Sequence, residues 1–218
     1  MIIQNRKFID IIVGMVVIVS LISILAYSSK KTTDTLSNEM IRFHVVANSD
    51  TIEDQLLKQQ VKDEIIEYMQ PLLKESKSID ETRKIINKSL TKIKSVAQEV
   101  VRKYGKGYKI YVNLDKANFP TKAYGDVVLP AGEYEACRVI IGEGKGENWW
   151  CVMYPPLCYI DAASGVVPLE GKEQLKQNLN DQQYKLVLDN KDKRYVIKFK
   201  VIDAINSMIC KDNYKKKR

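Results

Sequence analysis

GEGKGENWWCVMYPPLC, from Gly142 to Cys158, is the stretch on which the fold turns. It holds both tryptophans, two of the four cysteines and the adjacent prolines Pro155 and Pro156. Alternating apolar runs flank the glycines, CRVII (Cys137 to Ile141) before them and WWCVMY (Trp149 to Tyr154) after. This order reads as strand, turn, strand, with Gly142 to Asn148 as the turn. A phosphate cradle needs a helix N-terminus after its glycines, because the helix supplies the oriented N–H groups. An aromatic β-type run follows here, which argues against a nucleotide loop. Consecutive strand residues point to opposite faces, so one of Trp149 and Trp150 anchors the core and the other lies outward if no helix covers it. Burial of both between layers is the alternative.

Working outward, a period of two begins at Tyr108 and continues through Ile110, Val112 and Leu114. Lys122 to Val128 and Glu133 to Ile141 read as further strands, broken at the turn residues Pro130, Ala131 and Gly132. With the aromatic run they form a meander of neighbouring antiparallel strands. Upstream, IRFHVVA (Ile41 to Ala47) is a first strand, followed by the turn Asn48-Ser49-Asp50. Asp50 is the expected N-cap, with Glu53 as its capping-box partner. The helix beyond it repeats Ile52, Leu56, Val61, Ile65, Met69 and Leu72 and ends near Pro71. A second helix, about Asp80 to Tyr104, buries Ile86, Leu90, Ile93, Ala97, Val100 and Tyr104, and Gly105 with Gly107 closes it. The expected class is therefore α+β: an antiparallel sheet of about four to six strands with two amphipathic helices packed on it, preceded by one N-terminal transmembrane or signal helix.

Further along, Leu169 to Asn180 reads as a short helix. Tyr184 to Leu188 and Tyr195 to Val201 alternate like a hairpin, and Ile202 to Cys210 as a closing helix.

The uncharged run Ile11 to Ser29, IIVGMVVIVSLISILAYSS, follows Arg6 and Lys7 and is about long enough to cross a bilayer. A cleaved signal peptide and a retained anchor both fit; the length favours the anchor. No second apolar run follows, so the division is 1–29 signal or anchor, 30–38 linker, 39–210 one extracytoplasmic domain and 211–218 basic tail. The formal charge of +8 is spread along the chain except for Lys215 to Arg218, and aromatic residues do not interleave with it. That pattern gives no nucleic-acid surface.

Catalytic machinery is sparse. His44 is the chain's one histidine, and no zinc or serine-hydrolase motif stands beside it. Its offset from Asn48 places both on one side of an extended strand, with Ser49 nearby; a hydrogen-bonded structural histidine is the plainer reading. Neither a metal nor a cofactor is expected. Cys151 and Cys158 bracket the Pro-Pro pair and form a candidate disulfide, against the alternative of two reduced core residues. Large aromatics beside glycines and prolines make a candidate protein-binding surface of His44, Asn48, Gly142, Gly144, Asn148, Trp149, Trp150, Pro155 and Pro156.

The combination IRFHVVANSDTIEDQLLKQQVKDEI (Ile41 to Ile65) and LPAGEYEACRVIIGEGKGENWWCVMYPPLC (Leu129 to Cys158), after one N-terminal apolar segment, resembles the stage II sporulation protein R family of endospore-forming bacteria. The likeness runs from about Ile41 to Asp161. It implies a non-enzymatic signalling protein made in the forespore and exported to the space between the two sporulation membranes, anchored or released by signal cleavage. Its implied partner is a membrane-embedded aspartic protease of the stage II sporulation GA type, which cleaves the pro-sequence of sigma-E. The competing readings are an extracytoplasmic hydrolase or thiol enzyme built on His44 and Cys151, and a wall-binding module.

Overall fold

The computed structural model describes residues 12–24, 35–158, 167 and 169–188. A helix occupies 12–24, and among the described residues no helix is long and apolar enough to cross a membrane. The body consists of β1 (Ile41–Val46), α1 (Ile52–Lys74), α2 (Ile79–Lys103), β2 (Ile110–Phe119), β3 (Lys122–Tyr124), β4 (Val127–Leu129), β5 (Gly132–Ile141), β6 (Asn148–Tyr154), α3 (Leu169–Asn178) and α4 (Asp181–Leu188).

The class is mixed α and β, but the sheet is not the expected antiparallel meander. Its order is β2-β5-β1-β6, and β1 runs parallel to β5 and antiparallel to β6. The first strand of the body thus enters between two strands that are consecutive in sequence. Local pattern could not show this, because β1 is buried on both faces and reads only as a continuous apolar run. Lys122 to Val128 is not one strand either. Gly125, in the left-handed region at φ 58°, turns the chain so that β3 and β4 form a separate two-stranded hairpin.

One face of the sheet carries Phe43, Val45, Cys137, Val139 and Cys151, and packs on α1 and α2 through Leu57, Val61, Ile65, Ile86, Ile93 and Ala97. A fully buried Ile or Leu in such a layer contributes about 1.5–3 kcal/mol. The opposite face carries Phe119, Tyr134, Ala136 and Val152, covered at its base by Leu36, Met40, β4, α3 and α4. Both faces are therefore covered, at least in part.

The helices depart from the expected spans mainly at the start of α1. Its N-cap is Thr51, whose hydroxyl accepts from the Asp54 N–H at 3.3 Å. Asp50 is drawn away by a distant partner, accepting the Glu147 N–H at 2.6 Å. Ile52 and Leu56 do not belong to the core stripe: they are 81% and 58% exposed. Asp54, Leu57, Lys58 and Val61 face inward instead, since 3.6 residues per turn put Ile52 and Leu56 roughly opposite Asp54 and Val61. Leu72 and Tyr104 also lie outside the core. α2 ends as expected at Gly105, where the Gly105 N–H reaches Arg102 O and the Lys106 N–H reaches Val101 O, closing a Schellman motif.

Tyr184 to Leu188 lies in helix α4 rather than a strand. The proposed Tyr195 to Val201 strand, the Ile202 to Cys210 helix and the basic tail lie outside the described residues.

Candidate functional site

To pass from β5 to β6 the chain must cross the end of β1, and the glycine segment makes that crossing. It lies on the turn after β1 and is bound to it along its length. The Asn48 side chain works in both directions: its carbonyl accepts the Glu143 N–H at 3.0 Å, and its amide donates to Asp54 at 2.8 Å. The Asn48 and Ala47 carbonyls accept from the Lys145 and Gly146 N–H groups at 3.1 and 3.0 Å. The Gly142 N–H donates to Lys109 O and the Gly144 N–H to Ile141 O. With Glu147 donating to Asp50, every backbone N–H from Gly142 to Glu147 is committed. That leaves none free to cradle an anion.

Glycine is required here by contact as well as by conformation. Gly142 sits at φ 58°, and a Cβ there would overlap the Asn48 carboxamide. A Cβ on Gly146 would overlap the Ser49 backbone carbonyl.

Beneath the turn, Asp54 is 3% exposed and receives Ser49 Oγ at 2.5 Å as well as Asn48. Burial alone would raise its carboxyl, but the Ser49 and Asn48 hydrogen bonds outweigh it and hold the pKa below the ordinary value. Lys58, equally buried, donates to Gln55 Oε1 at 2.6 Å and Glu147 O at 3.0 Å. Desolvation lowers its pKa, countered by Glu147 and Asp50. The sequence reading passed over Asp54 and Lys58; two polar residues four apart within the inward stripe are the signal that marks them.

His44 faces the side of the sheet away from α1 and α2. Its ring stacks on Trp150 at 3.9 Å between centroids and 16° between planes, with Phe119 edge-on to both. It is 6% exposed, and neither ring nitrogen has a hydrogen-bond partner, so the expected polar cluster with Asn48 and Ser49 does not form around it. Burial drives its pKa down to about 4; the neighbouring Asn148 side chain offsets part of this, and Arg138 and Arg42 add to it. At neutral pH it is an uncharged aromatic platform.

Arg42, two residues earlier on the same face, is fully buried. It donates from Nε to Cys151 O and from Nη2 to the Tyr124 hydroxyl, and lies over Phe119 and Tyr134. The guanidinium joins β1 to the β3–β4 hairpin.

The candidate surface divides accordingly. His44, Asn148 and Trp150 share one face, and Gly144 folds down toward Ile140 of that face. Trp149 lies on the other, edge-on to Phe43 at 5.7 Å and beneath the Lys62 ammonium at 5.1 Å. Asn48 and Gly142 sit at the crossing itself. Pro155, buried and preceded by a cis peptide bond, and Pro156 lie at the far end of β6. The structure pairs Cys151 with Cys158 around these prolines, Cα atoms 5.5 Å apart, and leaves Cys137 a buried free thiol. His44 and Cys151 project from opposite faces of the sheet, since Cys151 adjoins Trp150, the cross-strand partner of His44. No cluster suited to a metal ion occurs among the described residues.

The interlocked crossing and the turn beneath it fall within the region that known proteins share. The Stage II sporulation protein R profile matches residues 37–164, from the entry into the body to just beyond the Cys158 turn. Stage II sporulation protein R of Bacillus subtilis (strain 168) is 39% identical over 165 residues, covering 76% of this chain and 72% of that protein. No solved structure matches. With more than half of the chain under the family profile and a relative of that identity, the chain belongs to the stage II sporulation protein R family.

Proposed function

We propose that this sporulation protein is an exported signal, acting by contact on a membrane-embedded aspartic protease of the stage II sporulation GA type that processes pro-sigma-E. The apolar N-terminal run carries it out of the forespore and holds it in the intermembrane space until any cleavage releases it. A ligand shifts a receptor only by binding one state more tightly, so the body favours the active, dimeric state of the protease.

The arrangement of His44 carries the preference for contact over chemistry. Its ring is capped by Trp150, has no hydrogen-bond partner and projects from the face opposite Cys151. A nucleophilic cysteine needs a base within reach to hold it as thiolate, and Cys151 is paired with Cys158.

The test is co-expression of the full chain with the receptor protease and pro-sigma-E in a non-sporulating host. Processing is expected with the chain present and not without it. Turnover of wall polymer or a thiol substrate by the purified protein, lost on His44→Ala or Cys151→Ser, would overturn this reading.

A further inference from the structure

The first two turns of α1 send Leu57 into the core but are otherwise inverted. Asp54 and Lys58 are buried, while Ile52 and Leu56, one turn apart, face water. A single exposed aliphatic needs no explanation, but an inverted pattern does, because a helix ordinarily turns such residues inward. Beside Leu57, the inward positions are occupied by the residues that hold the crossing: Asp54 fixes Asn48 and Ser49, and Lys58 fixes Glu147. Ile52 and Leu56 thus stand on a tightly hydrogen-bonded base without helping to bury a core. A fixed apolar pair loses little freedom when a partner covers it.

Their position selects the partner. The chain enters the body at its base, where Leu36 and Met40 are buried beside the start of β1. β1 then runs its six residues, about 20 Å, to the crossing. Ile52 and Leu56 therefore occupy the pole away from the point where the chain enters the body. The exposed carboxylates of Asp50 and Glu147 flank them, with that of Glu53 paired to Lys106, on a chain of net charge +8.

We infer that Ile52 and Leu56 form the docking anchor by which this pole meets an apolar, basic-rimmed site on the extracytoplasmic surface of the receptor protease. The inference rests on the function proposed above: a body held by its N-terminus presents this pole across the intermembrane space to a receptor in the facing membrane.

The experiment compares the full chain, the double variant Ile52→Gln/Leu56→Gln and the control Leu169→Gln, which alters an aliphatic of 77% exposure on α3. Binding to detergent-solubilised receptor protease and processing of pro-sigma-E are both read. The double variant keeps the wild-type far-UV spectrum and melting temperature but binds about tenfold more weakly or worse, with processing reduced in step. The control matches wild type in both. Unimpaired binding and processing by a folded double variant overturns the anchor while leaving the proposed function in place. Absence of binding and processing with the wild-type chain overturns both. Sedimentation equilibrium adds a third arm: a self-association that the double variant abolishes, with receptor binding unchanged, assigns the pair to a second copy of this chain and overturns the inference.

Discussion

The Asn48 carboxamide occupies the space that a Cβ on Gly142 would need, across 94 positions of sequence. The crossing from β5 to β6 is packed onto the end of β1 at this contact. Asn48 ends the segment that inserts between β5 and β6, and Gly142 begins the segment that must pass over it.

Gly142→Ala is therefore a folding variant. It forces a side chain into the left-handed region and against Asn48, at a cost of about 1–3 kcal/mol. Urea unfolding followed by circular dichroism is expected to show a lower midpoint with an unchanged slope. Gly107→Ala, with open space around its added Cβ, serves as the control and leaves the midpoint nearly in place.

His44 gives the protein a pH response. Its folded pKa of about 4 lies below the ordinary value of 6.5, so the folded state disfavours the charged ring. The stability this represents is fully present above pH 6.5 and is lost as pH falls toward 4. The total is on the order of 3 kcal/mol. Urea midpoints across this range are expected to fall with acidification, and His44→Phe, which keeps an aromatic platform under Trp150, flattens that part of the profile. An equally steep profile in the variant excludes His44 as its source.

The two tryptophans separate by consequence. Trp149 packs with Phe43 on the helical side, and Trp149→Ala is expected to cost about 2–3 kcal/mol, somewhat below the range for a fully buried aromatic. Trp150 presents its outer side on the opposite face, and under the function proposed above Trp150→Ala is expected to reduce processing of pro-sigma-E while the domain stays folded. Folded and fully signalling variants at both positions would remove the tryptophans from the contact surface.

Cys151 and Cys158 close a short loop, and opening it costs about 2 kcal/mol by chain entropy. Mass spectrometry of the purified protein, with and without reduction, reports the pairing. Cys151→Ser is expected to lower the melting temperature in oxidising buffer and to remove the difference that reduction makes.

Much of this was legible in the residues. The 3.6-residue period placed α2 to within one residue at each end, and the Gly105 cap was visible because only glycine suits the left-handed position there. The aromatic strand and the turn before it were legible as well. The N-cap of α1 was not, because a carboxylate at position 50 can serve either its own helix or the distant Glu147 N–H, and spacing does not choose between them. Ile52 and Leu56 misled for a related reason, since apolar residues at helical spacing carry no label for which side of the helix meets the sheet.

By itself, then, the sequence determined the two long helices, the strands β1, β2, β5 and β6, the family and the glycine turn before the aromatic strand, because local periods, caps and turns follow from each residue's own conformational preferences. Only the tertiary structure decided that β1 enters between β5 and β6, that the glycines clamp Asn48 and Ser49, and that His44 lies uncharged under Trp150. These are pairings between segments about a hundred residues apart, chosen by which hydrogen bonds and apolar faces can be satisfied together once the chain is compact.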